Sequence, residues 1–251
     1  MTAVEVGLLA FASLFGGALL GIRLRNALPD HHLNDDSRHL LEIGLGIIGT
    51  MAGLVLGLLV ASATGSYNAQ RSELLDLSSK VVLLDRILAH YGPDANAPRG
   101  ALRVAVQQML IRVWPQESSR GAQLDPLAVR GEVVLDEIED LAPRSDRQRS
   151  LKPEAIGLAI NLAQVRWLMF EQTGSSISPP LLVLLIFWFT ITFVGFGLFS
   201  PSNATVIVAL GLCALAVSGA IFVTLEMYTP FQGLVQISSA PLREALAHLG
   251  R

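Results

Sequence analysis

Four stretches of this chain contain no Asp, Glu, Lys or Arg for 17 residues or more. That is the length a helix needs to cross the apolar part of a bilayer. The first is Val6–Ile22, closed by Arg23, and the second runs Ile43–Gln70, with its apolar part ending near Ala63. The third and fourth share the uncharged run Gln172–Leu225, which Ser200-Pro201-Ser202-Asn203 divides into Pro180–Phe199 and Ala204–Leu225. In lipid every backbone N–H and C=O must find its partner inside the protein, so spans of this kind are helices. The expected fold is an all-α integral membrane protein with four transmembrane helices.

Val6–Ile22 reads as a retained helix. A cleaved signal peptide carries its basic residues ahead of the apolar run. Here the head is Met-Thr-Ala-Val-Glu, and Arg23 and Arg25 follow the run.

The spans form two hairpins around a polar insert. Hairpin 1 occupies residues 1–65, with spans at about 4–22 and 42–64. A soluble insert covers 66–176, hairpin 2 covers 177–226 with spans at about 180–199 and 204–225, and a tail occupies 227–251. The insert has helical periodicity. Leu74, Leu77, Val81, Leu84 and Leu88 recur at three and four, and Gly92-Pro93 ends that run. Further helices are expected from Pro98 to Trp114, from an Asp125-Pro126 cap to about Leu141, and over Pro153–Gln172, where Gly174 suits a C-cap. Apart from Gly65, no breaker interrupts the chain between Leu59 and Tyr91. Span two should therefore continue into the insert as one helix, on the order of 75 Å from Leu41 to Tyr91.

Residues 49–65 read GTMAGLVLGLLVASATG. Gly49, Gly53, Gly57, Ala61 and Gly65 fall at a strict spacing of four, and Gly46 precedes them by three. Helices in lipid associate by close backbone approach, which small side chains permit. The ladder is therefore a packing groove for a neighbouring helix, from the same chain or another copy. One position along lies a second stripe at the same spacing: Thr50, Leu54, Leu58 and Ser62. In a ring of subunits it could face the axis, apolar in the middle with hydroxyls at both ends, the composition of a hydrophobic constriction. From the residues alone, plain packing stands ahead of pore lining, because small-residue interfaces are common.

Other polar features point to ordinary roles. The loop PDHHLNDDSRH holds Asp30, His31, His32, Asp35, Asp36 and His39, donors suited to a transition metal but without a ligand spacing. It reads as a solvated turn. Glu42 and Glu226 lie at helix ends and mark where water begins. Cys213 falls in the fourth span as small apolar filler, and a lone cysteine forms no intrachain disulfide. Trp114 and Trp167 suit the core of the insert or a contact with another subunit, and Trp188 suits lipid-facing bulk. No nucleophile elbow, phosphate loop, dinucleotide turn or paired metal histidines occur. No enzyme activity, cofactor or metal is expected, and no basic stripe suggests nucleic acid. Basic residues near the membrane do not choose an orientation: Arg71, Lys80, Arg166 and Arg243 lie on the insert side, Arg23, Arg25 and Arg38 on the other.

The stretch VLGLLVASATGSYNAQRSE resembles the second helix of bestrophins, where an apolar segment leads into a polar Tyr/Trp, Asn and Gln run. The whole chain resembles the bacterial bestrophin-like domain family of membrane proteins. The features that carry this are Ser66-Tyr67 after span two, Val113-Trp114-Pro115 in the insert, and Pro179-Pro180 before span three. The tail LEMYTPFQGLVQISSAPLREAL adds Pro230, Phe231, Gly233, Ser238 and Pro241.

The resemblance implies a homo-oligomer, pentameric by analogy with bestrophins, in a bacterial inner membrane. Its insert and both termini would be cytoplasmic, and it would pass small anions such as chloride. Bestrophin necks carry three large apolar side chains at spacing four. Aligning the shared Val-Leu-Gly puts Thr50, Leu54 and Leu58 there, with Thr50 departing from the pattern. The acidic calcium cluster of animal bestrophins has no counterpart, since Gln232-Gly233 follows Pro230-Phe231. A non-conducting membrane scaffold or sensor, whose cytosolic helices bind a partner, is the alternative.

Overall fold

A computed structural model of the chain describes residues 2–27, 35–114, 131–172, 178–231 and 233–250. Among them every regular element is helical: α1 (Ala3–Ala27), α2 (Asp35–Tyr91), α3 (Asn96–Val113), α4 (Gly131–Glu139), α5 (Asp146–Gln172), α6 (Pro179–Phe199), α7 (Ala204–Met227) and α8 (Ala240–His248). A 3-10 turn, Pro93–Ala95, joins α2 to α3. Four helices are long and apolar enough to cross a membrane: α1, α2 from His39, α6 and α7. The protein is an all-α membrane protein, as the uncharged runs predict.

The chain divides into two compact units: Met1–Tyr67 with Ser176–Thr229, and Asn68–Ser175 with Pro230–Arg251. In the first unit α1 is the centre, packed on α6 and α7. Its contact stripe is Ala10, Leu14, Ala18 and Ile22, at spacing four, against Leu185, Phe189 and Phe193 of α6 and Leu210, Ala214 and Ile221 of α7. Small residues set the distance. A Cβ on Gly21 would run into the Val194 carbonyl oxygen, and one on Gly197 into the Ala18 carbonyl oxygen. Close backbone approach therefore holds α1 to α6, as lipid-embedded packing requires.

α2 is a single helix of 57 residues, as its lack of breakers predicts. Gly92 ends it at φ 113°, a backbone region that side chains resist. In the second unit Leu74, Leu77, Val81, Leu84 and Leu88 are all buried, the periodic set read from the sequence. Asp85 on the same helix binds Arg99 of α3 through two hydrogen bonds of 2.8 and 3.0 Å, and accepts the Gly250 N–H at 3.3 Å. That pairing holds the Arg99 guanidinium more firmly protonated than usual, against the opposing effect of burial.

Three helices differ from expectation. α3 begins at Asn96, so Pro98 sits in its first turn, where the missing N–H has no intrahelical partner to lose. α5 begins at Asp146 and holds Pro153 within it. Its start is set by Ser145 and Gln148: the Ser145 hydroxyl accepts the Gln148 N–H at 3.2 Å, and the Gln148 side chain accepts the Arg144 N–H at 2.7 Å. This is close to a capping box, which outweighs the single donor that Pro153 removes. α8 has no counterpart in the sequence reading. Its Leu242 and Ala245 are buried, as is Leu249 just after it, and the tail belongs to the same unit as the insert. The Asp125-Pro126 cap, Pro115 and Gly174 lie outside the described residues.

Candidate functional site

α2 crosses the first unit with two different faces. Ala52 and Ala63 are buried, and Val55, Leu56 and Leu59 pack against the core formed with α1, α6 and α7. The ladder and the neighbouring stripe lie on other sides of the helix. A Cβ on Gly46, Gly53, Gly57 or Gly65 would meet nothing within 4 Å, and Ala61 is exposed. Gly49 alone has a neighbour, the Thr192 methyl, which a Cβ would meet at 3.4 Å. The in-chain groove is thus built elsewhere, by Gly17, Gly21 and Gly197. Gly17 and Gly21 form a small-xxx-small pair in the first span. That signal was present in the sequence, overshadowed by the longer ladder.

The second stripe is open along its length. Leu54 is 65% exposed and Leu58 71%, and Thr50 and Ser62 are exposed too. The two hydroxyls are held differently. Thr50 donates to the Gly46 carbonyl at 2.8 Å, the usual back-bond of a hydroxyl in a helix. Ser62 instead accepts a 3.1 Å hydrogen bond from the Tyr228 phenol, at the end of α7. Two turns of helix thus present leucines only, flanked by hydroxyls.

Toward the Glu42 end, Leu45 of α2 lies against Gly195 of α6, where an added Cβ would collide with its side chain. A cleft of about 740 Å³ opens there, lined by Gly46, Gly49 and Thr50 of α2, Phe193 and Phe196 of α6 and Cys213 of α7. Glu42 is exposed at its rim, whereas Glu226 of α7 is buried. A smaller apolar hollow of about 70 Å³ lies in the second unit, among Leu77, Val81, Leu102, Val106 and Ala159.

The remaining sequence candidates fall as follows. Asp30, His31 and His32 lie outside the described residues, as do the side chains of Asp35 and Asp36. His39 is exposed, and no cluster of metal-ligating side chains occurs among the described residues. Cys213 is exposed on the chain. Trp114 is buried in the second unit, where its ring N–H donates to the Ile237 carbonyl at 2.9 Å and its ring meets Phe231 edge-on at 5.6 Å. Trp167 is 70% exposed, so it does not fill that core. Trp188 packs half-buried against the membrane core. Tyr228, which sequence reasoning missed as a site residue, lay in the quoted tail; what it touches comes only from the fold.

A family model described as Bestrophin-like domain matches residues 12–242. No curated protein and no solved structure matches the chain.

Proposed function

The chain belongs to the Bestrophin-like family of membrane proteins, and on that footing we propose that it forms a homo-oligomeric, pentameric channel for small anions, lined by α2. The observation that carries this reading is how little of the membrane half of α2 is buried within the chain. Only 6% of its apolar window is buried within the chain, against 17% for α1, 33% for α6 and 22% for α7. Glycines on the open sides of such a helix permit close approach by other helices, and copies of itself supply them. In that arrangement Gly46, Gly49, Gly53, Gly57, Ala61 and Gly65 form the seam between subunits. Thr50, Leu54, Leu58 and Ser62 face the axis, where Leu54 and Leu58 form a constriction that excludes water.

The insert and both termini face the cytoplasm of a bacterial cell in this reading, which rests on family likeness. The protein is a conduit, not an enzyme, and requires no cofactor.

Two measurements test it. Purified particles viewed by electron microscopy should show five copies around an open axis. In liposomes, Leu54→Ala combined with Leu58→Ala should raise anion flux above wild type. Background flux from both proteins overturns the channel. A monomer, or a dimer sealed along the glycine ladder, favours a non-conducting scaffold whose cytosolic helices bind a partner.

A further inference from the structure

We infer that Tyr228 is a positioning residue for anion selectivity: its hydroxyl occupies an acceptor lone pair of Ser62 and leaves Ser62 to act as a hydrogen-bond donor. This deepens the channel reading above and rests on it. Ser62 ends the exposed stripe, four residues after Leu58. In α-helices a serine or threonine hydroxyl commonly gives its proton to the carbonyl four residues back. Thr50, Thr64, Ser78, Ser79, Thr190, Thr192 and Thr224 all do so here. Ser62 does not. Its one hydrogen bond among the described residues is the 3.1 Å contact from Tyr228.

The direction of that bond follows from the chemistry. A phenol is a better donor than an aliphatic alcohol, so the tyrosine gives its proton and the serine oxygen receives it. Two consequences follow at the Ser62 oxygen. Accepting a hydrogen bond polarises its own O–H, strengthening it as a donor. One of its two lone pairs is also engaged, which weakens it as a ligand for a cation. A neutral hydroxyl is thereby biased toward anions without a positive charge in the membrane, where a charge is costly.

Tyr228 is well placed to hold this geometry. Its backbone N–H closes the last turn of α7 on the Leu225 carbonyl at 3.1 Å. Pro230, two residues on, is buried. One residue earlier, the Met227 sulfur lies 3.9 Å from the Thr64 oxygen, so α7 touches α2 on either side of Ala63. The Thr50 end of the stripe lacks such a device, because its proton already goes to Gly46.

The test uses the full-length protein in phosphatidylcholine–phosphatidylglycerol liposomes, with chloride-to-potassium permeability ratios taken from reversal potentials in a KCl gradient. Tyr228→Phe keeps the ring and removes only the hydroxyl, and should lower the ratio roughly fivefold, the scale of one hydrogen bond. Ser62→Ala should lower it to the same extent, and the double variant no further. Ser62→Thr should keep the wild-type ratio. A conducting wild type with an unchanged ratio in Tyr228→Phe overturns the inference, as does an additive double variant. A wild type without anion flux overturns the channel reading itself. Loss of particle assembly in Tyr228→Phe would assign the residue to packing and overturn the inference too.

Discussion

Gly197 of α6 stands so close to α1 that a methyl group in place of its hydrogen would collide with the carbonyl oxygen of Ala18, a backbone atom that cannot rotate away. This contact and its mirror at Gly21 fix the spacing of the membrane bundle, because α1 is the helix on which both α6 and α7 pack. Gly197→Ala or Gly21→Ala should therefore force the two helices apart, at a cost of about 1–3 kcal/mol, typical of overpacked interiors. The midpoint of detergent-induced unfolding reads this. Gly16→Ala, where a Cβ meets nothing within 4 Å, is the matched control and should leave the midpoint unmoved or slightly raised.

The ladder on α2 predicts the opposite separation of effects. Gly53→Leu with Gly57→Leu adds bulk where the chain itself has no neighbour within 4 Å. Each chain should still fold, with wild-type helix content by circular dichroism. The particle should shrink on size exclusion, since the added side chains block the proposed seam between copies. Wild-type particle size in this variant would mean that the ladder meets lipid only.

Trp114 ties the tail to the insert. Trp114→Phe keeps an aromatic ring beside Phe231 but leaves the Ile237 carbonyl without its 2.9 Å donor. An unsatisfied buried acceptor costs about 1–3 kcal/mol. The full-length variant should unfold earlier on heating, and limited proteolysis should cut within Gly233–Ser239 sooner than in wild type.

Tyr91 predicts an alkaline limit to stability. Its side chain is buried, and its hydroxyl has no hydrogen-bond partner among the described residues. Burial pushes its ionisation up from the ordinary value near 10; Asp94 adds to the rise and Arg144 opposes it. The folded state thus holds this proton more tightly than the unfolded chain. The resulting stability is complete below about pH 10 and falls as pH rises through the raised value. Tyr91→Phe should flatten that alkaline decline and leave neutral stability equal or higher, because an unpaired buried hydroxyl is lost. Thermal midpoints measured from pH 8 to 11 read both effects.

The long-range pattern of this fold was open to reading because lipid imposes it: charge-free runs had to become helices, and α2 had to continue to Gly92 for want of a breaker. Local chemistry of short range was harder. The Ser145–Gln148 cap displaces the start of α5 upstream of Pro153, since two satisfied N–H groups outweigh one missing donor. α8 spans nine residues, too few for periodicity to stand out, and forms because Leu242 and Ala245 find a core already built by other segments. At the candidate site the stripe Thr50, Leu54, Leu58 and Ser62 was legible as one helix face. Which helix each small residue serves was not, because a spacing of four shows that an approach is possible and not what approaches. Gly17, Gly21 and Gly197 turned out to meet backbone within the chain, while the more regular ladder of α2 meets almost none. The Tyr228–Ser62 bond joins residues 166 positions apart, and no local pattern announces it.

The cleft beside α2 bears on how the protein is handled. About 740 Å³ lies among Phe189, Phe193, Phe196 and Phe199, with Glu42, Thr50, Thr192 and Ser200 also on its walls. In a membrane, acyl tails, water or another protein surface fills it. Removing the native surroundings replaces that filling with whatever amphiphile is at hand, so the choice of detergent becomes a structural variable for α2, and a short-tailed one would be expected to change where this helix rests.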